Sequence, residues 1–372
     1  MRIAHPIIAL FFCSVPALAQ EPADSDTLPQ EPDNTLVDSI LESLDEFDST
    51  VEYGNQGSFI GLHGFFDLEF ISGQGQASSF DLHHANLLLD VAVSEDADAR
   101  VEFEWEHGGD NVEVDQVFLD YHPFVSDVSI RFGRFYAPFG MERHVWYPPV
   151  SKSITRPLVF REVVPGNWYE TGAMVVWKSN DEGLGFDLEA AITNGLGTDL
   201  ALNPRTARQA RDNNNSKMLS GRMGVRDAEL WTCGASFASG KYDLAGDDSF
   251  RYLGLDFGMD LEMLELDAEW VSSDVDSITA PGGSFGRDGW YVQAFVPLPL
   301  EEQDFGCFVR YDSVDPDDSV RDADDRNAAS IGLRWIPSAQ VTFKLEYQKV
   351  DHQSPGVWPG EDMFAFQAVL DF

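Results

Sequence analysis

The sequence predicts an all-β fold: a transmembrane antiparallel β-barrel of about sixteen strands, with a long loop folded inward after the fifth. Three observations predict it. From Ser58 onward, apolar and polar residues alternate with a period of two. The connections between these segments alternate between short and long. The chain ends on FAFQAVLDF, where Phe364, Phe366, Ala368, Leu370 and Phe372 share one parity, so the terminus reads as a strand and not as a frayed tail.

Residues 1–19 read as a secretory signal peptide. Arg2 supplies the positive charge, Ile7 to Val15 the short apolar core, and Ala17-Leu18-Ala19 the cleavage site. The apolar run is short of the roughly 20 residues a membrane helix needs. The best later run, LLLDVAV (Leu87 to Val93), is short and carries Asp90, which excludes a helical membrane protein but not a barrel.

Residues 20–57 read as an acidic linker. EPADSDTLPQEPDN has a disordered composition, and Leu36, Val37, Ile40, Leu41, Leu44 and Phe47 follow at the spacing of a short amphipathic helix. That helix is expected either docked on the rest of the chain or only partly formed, or else in a small coiled coil; two heptads do not decide.

Residues 58–372 form the predicted barrel. RVEFEWE places Val101, Phe103 and Trp105 on one face and Glu102, Glu104 and Glu106 on the other; LELDAEW and VTFKLEYQ behave alike. Sixteen segments are predicted, at 58–70, 80–93, 99–107, 111–121, 128–135, 170–178, 186–193, 218–226, 230–240, 251–261, 264–272, 288–297, 305–312, 327–336, 341–351 and 363–372. A soluble sandwich is disfavoured, because hairpins repeat unbroken and Trp105, Tyr121, Trp177, Trp231, Trp270, Trp290 and Trp335 fall where interfacial girdles are expected. An even strand number puts both termini at the short-turn end, which for a barrel of this kind is periplasmic. The last strand must then pair with the first.

The formal net charge is −40, and no Lys or Arg occurs between Arg2 and Arg100. A nucleic-acid partner is thereby excluded, since phosphate binding needs a basic footprint. Cys233 and Cys307 lie on separate strands and are expected as free thiols.

Enzyme motifs are absent: there is no G-x-S-x-G, no H-E-x-x-H and no P-loop. No cofactor and no metal site are expected. His83 and His84 point to opposite faces of an ideal strand, and the Asp-rich stretch 315–325 lacks EF-hand spacing.

The chemistry is therefore expected in the lumen. The stretch Tyr136 to Tyr169 carries Phe139, Trp146, Phe160 and Trp168, which a solvated loop does not need, and it is expected to fold inward and narrow the pore. The candidate constriction residues are Arg131, Arg143, Lys152, Arg156 and Arg161. Parity turns Arg131, Arg222, Arg226, Arg310, Arg334 and Lys344 toward the lumen, with Asp67, Glu69, Glu102, Glu104, Glu106, Asp256, Glu265, Asp267, Glu269 and Glu346. These charges either cancel as ion pairs or set selectivity.

GRFYAPFGMER (133–143), directly after a strand and opening the long loop, resembles the G-x-[FL]-x-x-P-F-G-[LM]-E segment of the phosphate-selective porin O and P family. The resemblance covers roughly 58–372, but only this segment is specific. It implies an outer-membrane porin, homotrimers, a loop folded into each channel and, in some members, anion uptake resting on lumenal Arg and Lys. Here inward acids outnumber inward bases. The terminal Phe372 also resembles the signal presented to the barrel-assembly machinery. The expected function is passive diffusion of small hydrophilic solutes and ions through a barrel embedded in outer-membrane lipid. The alternatives are a phosphate or oxyanion channel with a basic constriction, and a non-pore barrel serving as receptor, adhesin or lipid-active enzyme.

Overall fold

The computed structural model describes residues 50–53, 58–73, 77–123, 127–141, 147–179, 183–227, 230–277, 279–280, 282–300, 303–320, 325–352 and 362–372. The predicted signal peptide, most of the predicted linker with its helix, and the loop residues Arg143 and Trp146 lie outside these.

Each predicted segment falls on one strand. They are β2 (Ser58–Gly73), β3 (Ser79–Ser94), β4 (Ala97–Glu106), β5 (Asn111–Tyr121), β6 (Val128–Tyr136), β7 (Tyr169–Lys178), β8 (Leu184–Thr193), β9 (Met218–Asp227), β10 (Trp231–Lys241), β11 (Ser249–Leu261), β12 (Leu264–Asp276), β13 (Ser284–Leu300), β14 (Gln303–Asp315), β15 (Arg326–Ser338), β16 (Val341–His352) and β17 (Met363–Asp371). Each pairs antiparallel with its sequence neighbours, and β17 pairs with β2 from Met363↔Gly73 to Asp371↔Phe65, which closes the barrel. Closure leaves no open edge. At the seam Phe372 N donates to Gly64 O at 2.9 Å and Gly64 N to Phe372 O at 2.8 Å, so the last residue stays in the ladder.

One departure lies ahead of the barrel. Thr50–Tyr53, assigned by sequence to the linker, forms a short strand, β1, paired antiparallel with β2 from Thr50↔Gly61 to Tyr53↔Ser58. It uses the part of β2 that β17 does not reach. TVEY is β-favouring, and an unpaired ladder is available beside it.

The polarity is inverted relative to a soluble protein. On β11, Leu253, Leu255 and Phe257 are exposed on the outside, while Phe250, Tyr252 and Asp256 are buried inside. An apolar outer face suits hydrocarbon, and the strand ladders satisfy the backbone there. Tyr121, Trp177, Trp231 and Trp335 gather at the short-turn ends; Trp270 and Trp290 instead pair mid-strand across β12 and β13. Cys233 and Cys307 sit half-buried on β10 and β14, which do not pair, and both are free thiols.

Candidate pore constriction

The stretch between β6 and β7 turns inward and packs on the barrel wall. Phe139, Leu158, Val159, Phe160, Val163 and Trp168 are buried in a cluster with Tyr252, Val271, Tyr291 and Val314 of the wall. Phe139 meets Trp168 at 5.4 Å between ring centroids and Tyr252 edge-on at 6.1 Å. Burying each such side chain stabilises by about 1.5–3 kcal/mol. A one-turn helix, α1 (Leu158–Glu162), starts after Pro157; Asp312 Oδ1 accepts its first N–H, that of Leu158, at 2.9 Å.

Glycine is needed once inside β6 and once in the turn into the lumen. Gly133 has φ +135°, and a Cβ there would lie 2.1 Å from Val117 O. Gly140 has φ +66°, and a Cβ there would lie 2.5 Å from Glu269 Oε2. The space a side chain would occupy at Gly140 holds the carboxylate that accepts from Met141 N at 3.1 Å. Both glycines belong to GRFYAPFGMER: Gly133 lets β6 lie close against β5, and Gly140 allows the inward bend.

Wall charges hold the rest of the loop. Glu346 accepts from Ile154 N and Thr155 N at 2.7 and 2.9 Å. Arg310 donates to Ser153 Oγ at 2.8 Å and Thr155 O at 2.7 Å, and pairs with Asp312 at 2.9 Å. Lys344 donates to Pro148 O at 2.6 Å and Ser151 Oγ at 2.7 Å. Glu102 accepts from Tyr147 Oη, Asn86 Nδ2 and Gln116 Nε2 at 2.9, 3.1 and 2.6 Å. Burial pushes the Tyr147 hydroxyl far above its ordinary range, so it stays a donor.

Two of the cavities among the described residues adjoin each other inside the barrel. The larger, about 480 Å³, lies toward the long-loop end. Glu69, His83, His84, Glu104, Glu106 and Asp115 line it, and so do Arg156, Arg161, Arg205 and Arg208. The smaller, about 390 Å³, lies toward the short-turn end, lined by Asp90, Asp98, Arg100, Asp120, Arg131, Lys178 and Glu189. Tyr136 and Tyr147 line both. Tyr136 Oη is 3.3 Å from Tyr147 Oη and 2.9 Å from Tyr169 Oη.

A family model described as "Phosphate-selective porin O and P" matches residues 60–255, more than half of the chain. This chain belongs to that family. An uncharacterized protein of Aquifex aeolicus is 23% identical over 337 residues, covering 79% of this chain and 76% of its own length. Among solved structures, the anion-selective porin from Comamonas acidovorans is similar, with a TM-score of 0.63 and 13% identity over 85% of this chain and 100% of that one. OmpT of Vibrio cholerae in its trimer form gives 0.59 and 10% over 85% and 99%. The outer-membrane channel DcaP of Acinetobacter baumannii gives 0.57 and 14% over 86% and 100%. Likeness at such identities shows a shared fold. Family and fold together make this porin-family chain an outer-membrane channel protein.

The predicted constriction residues do not form one cluster. Arg156 and Arg161 face the larger cavity. Arg131 sits in the other, bound to both oxygens of Asp120 at 2.7 and 2.6 Å, its guanidinium 3.8 Å from the Phe118 ring centre. Lys152 pairs with Glu265 at 2.5 Å and lines neither of these cavities. Parity turned Arg131 inward but carries no depth along β6, and Arg131 lies near the short-turn end of that strand.

The predicted lumen wall divides in two. Glu102, Glu269, Arg310 and Lys344 hold the loop and are buried under it, so they do not keep the wall wet. Arg222 pairs with Asp256 at 2.5 Å over Gly234, whose missing side chain makes room; Arg226 pairs with Asp187; Arg334 is 3.9 Å from Asp304. Asp267 stands opposite Gln293 across β12 and β13. Glu104 and Glu106 line the larger cavity.

Sequence reasoning missed Arg205 and Arg208, in the loop between β8 and β9. The spacing in RTARQAR, in a chain poor in cations, was the available signal. It also misjudged the paired histidines. The β2–β3 register shifts at Asp67/Leu68, a bulge that leaves His83 as the extra residue. Both rings consequently turn to the same side, with centroids 3.8 Å apart.

Proposed function

We propose that the chain is a passive outer-membrane porin for small hydrophilic solutes and ions, with loop 136–169 as its filter and Tyr136 and Tyr147 at the narrow point. The single observation that carries this is the pair of polar cavities meeting at those two tyrosines. Space lined by polar and charged side chains on both sides of a narrowing is what selective diffusion requires. The short-turn end faces the periplasm, with the segment before the barrel; Phe372 serves barrel assembly; the functional unit is a homotrimer, as in the trimer form of the Vibrio protein. The membership and the polar lumen support a channel without enzymatic activity.

A second reading has an observation of its own. Arg156, Arg161, Arg205 and Arg208 line one cavity in a chain of charge −40. Four guanidinium groups suit a phosphate or another oxyanion, which they bind in a bidentate manner. Reversal potentials in a planar bilayer under a salt gradient, with phosphate replacing chloride, separate the two readings. Cation preference with no phosphate block is the general porin. Anion preference with chloride current blocked by phosphate is the oxyanion channel. Absence of both conductance and liposome swelling overturns both.

A further inference from the structure

The wall formed by β2 to β5 carries a cluster that the channel reading does not use. Two bulges lie close together in it. The first turns His83 and His84 inward; the second, at Glu102/Phe103 against β5, turns Asp115 and Gln116 inward together. Each bulge departs from strict alternation and adds a buried polar side chain to the same surface.

His84 is oriented from behind. Its Nδ1 lies 3.0 Å from Asp67 Oδ1, while Asp67 Oδ2 accepts from Gln367 Nε2 at 2.9 Å. A carboxylate accepts, so Nδ1 is the ring atom that donates to Asp67, which leaves Nε2, on the far side of the ring, as the atom available to a metal. There Glu104 Oε1 lies 3.8 Å away and Glu106 Oε1 4.0 Å away. These separations are too long for hydrogen bonds and no longer than two metal–ligand bonds of about 2.0–2.2 Å placed end to end. All three ligand atoms lie within 4.8 Å of one another. Among the described residues, neither Glu104 nor Glu106 has a Lys or Arg salt bridge. Asp115, 1% exposed, lines the same cavity beside Glu104, and one of its oxygens accepts from Tyr169.

We propose that His84, Glu104 and Glu106 form a lumenal site for a divalent transition-metal cation of the Zn²⁺ class, with Asp67 as the outer carboxylate that fixes the imidazole. Imidazole nitrogen selects such ions over Ca²⁺ and Mg²⁺, and a carboxylate–histidine–metal chain is the usual way a ligating ring is held. The bound ion adds positive charge to the cavity that Arg156 and Arg161 line, and shifts permeation toward anions.

Chelator-stripped protein in detergent is titrated with Zn²⁺ by calorimetry and with Co²⁺ by visible absorption. One saturable Zn²⁺ per chain is expected, with Co²⁺ bands displaced by Zn²⁺ and untouched by Ca²⁺. H84N and E106Q are each expected to weaken binding at least tenfold. E106Q, at a half-exposed position, keeps the test open if H84N does not fold. No saturable Zn²⁺ binding by the folded protein, or binding unchanged in E106Q, overturns the site. In bilayers, Zn²⁺ is expected to move the reversal potential toward anions in the wild type and not in E106Q. Binding without such a shift overturns the coupling to permeation. Because calorimetry needs no conducting channel, the site fails or stands independently of the pore reading.

Discussion

Glu346 of β16 holds Thr155 of the inward loop through both carboxylate oxygens: Oε2 accepts the backbone N–H at 2.9 Å and Oε1 the hydroxyl at 2.5 Å. Glu346 is buried while Thr155 lines the larger cavity, and Glu346 also lies 3.6 Å from Arg310. Removing one member of such a buried, hydrogen-bonded charge set costs about 3–5 kcal/mol, because the others stay behind unpaired. Glu346→Ala is therefore expected to lower the thermal midpoint of the detergent-solubilised protein and to open the 147–168 segment to protease. An unchanged digestion pattern would show that the loop is held by its apolar cluster alone.

Gly140→Ala tests the bend itself. A left-handed backbone costs a non-glycine residue roughly 1–2 kcal/mol, before the clash with Glu269 is counted. The loop is expected to seat poorly, with larger and noisier single-channel conductance. Gly183, also at positive φ but with nothing near its missing Cβ, serves as control: Gly183→Ala should leave conductance unchanged.

Arg131 and Asp120 are expected to behave as one unit. Arg131→Met leaves Asp120, only 7% exposed, without its bidentate partner. It should destabilise the barrel by about 2–4 kcal/mol and make the smaller cavity more cation-preferring. Adding Asp120→Asn should recover most of both losses, a coupling of about 1–3 kcal/mol in a double-mutant cycle. Additive effects would mean that the pair does not act together.

Tyr147→Phe removes the hydroxyl that Glu102 accepts. Glu102 keeps Asn86 and Gln116, so the expected loss of stability is about 1–3 kcal/mol. The tyrosine's folded pKa lies above its unfolded value, so its contribution is whole below about pH 10 and fades as pH rises toward the folded pKa. Wild type should consequently lose stability in alkali faster than Tyr147→Phe. Parallel alkaline denaturation curves would remove Tyr147 from this role.

Much of the fold was legible because a barrel is written locally. Alternation names each strand and its outward face, connection length names the two ends, and GRFYAPFGMER marks where the chain turns inward. Arg156 and Arg161 were legible as scarce cations within an apolar, non-alternating stretch. The candidate site as a whole was not legible. Parity assumes an unbroken pleat, and a single extra residue at His83 or Asp115 reverses which side chains share a surface.

By itself, then, the sequence determined sixteen strands, their lipid-facing stripe and a loop too apolar to stay in water. Those features depend on neighbours one or two positions apart, and on a solvent that rewards apolar faces outside the barrel. Only the tertiary structure decided which charges face the pore and which are consumed in seating the loop. Lys344 reaches Pro148 and Ser151 across some 190 positions of chain, and Arg205 arrives beside Arg156 from a different loop. Such pairings arise when the sheet closes on itself, because closure sets distances that no local spacing records.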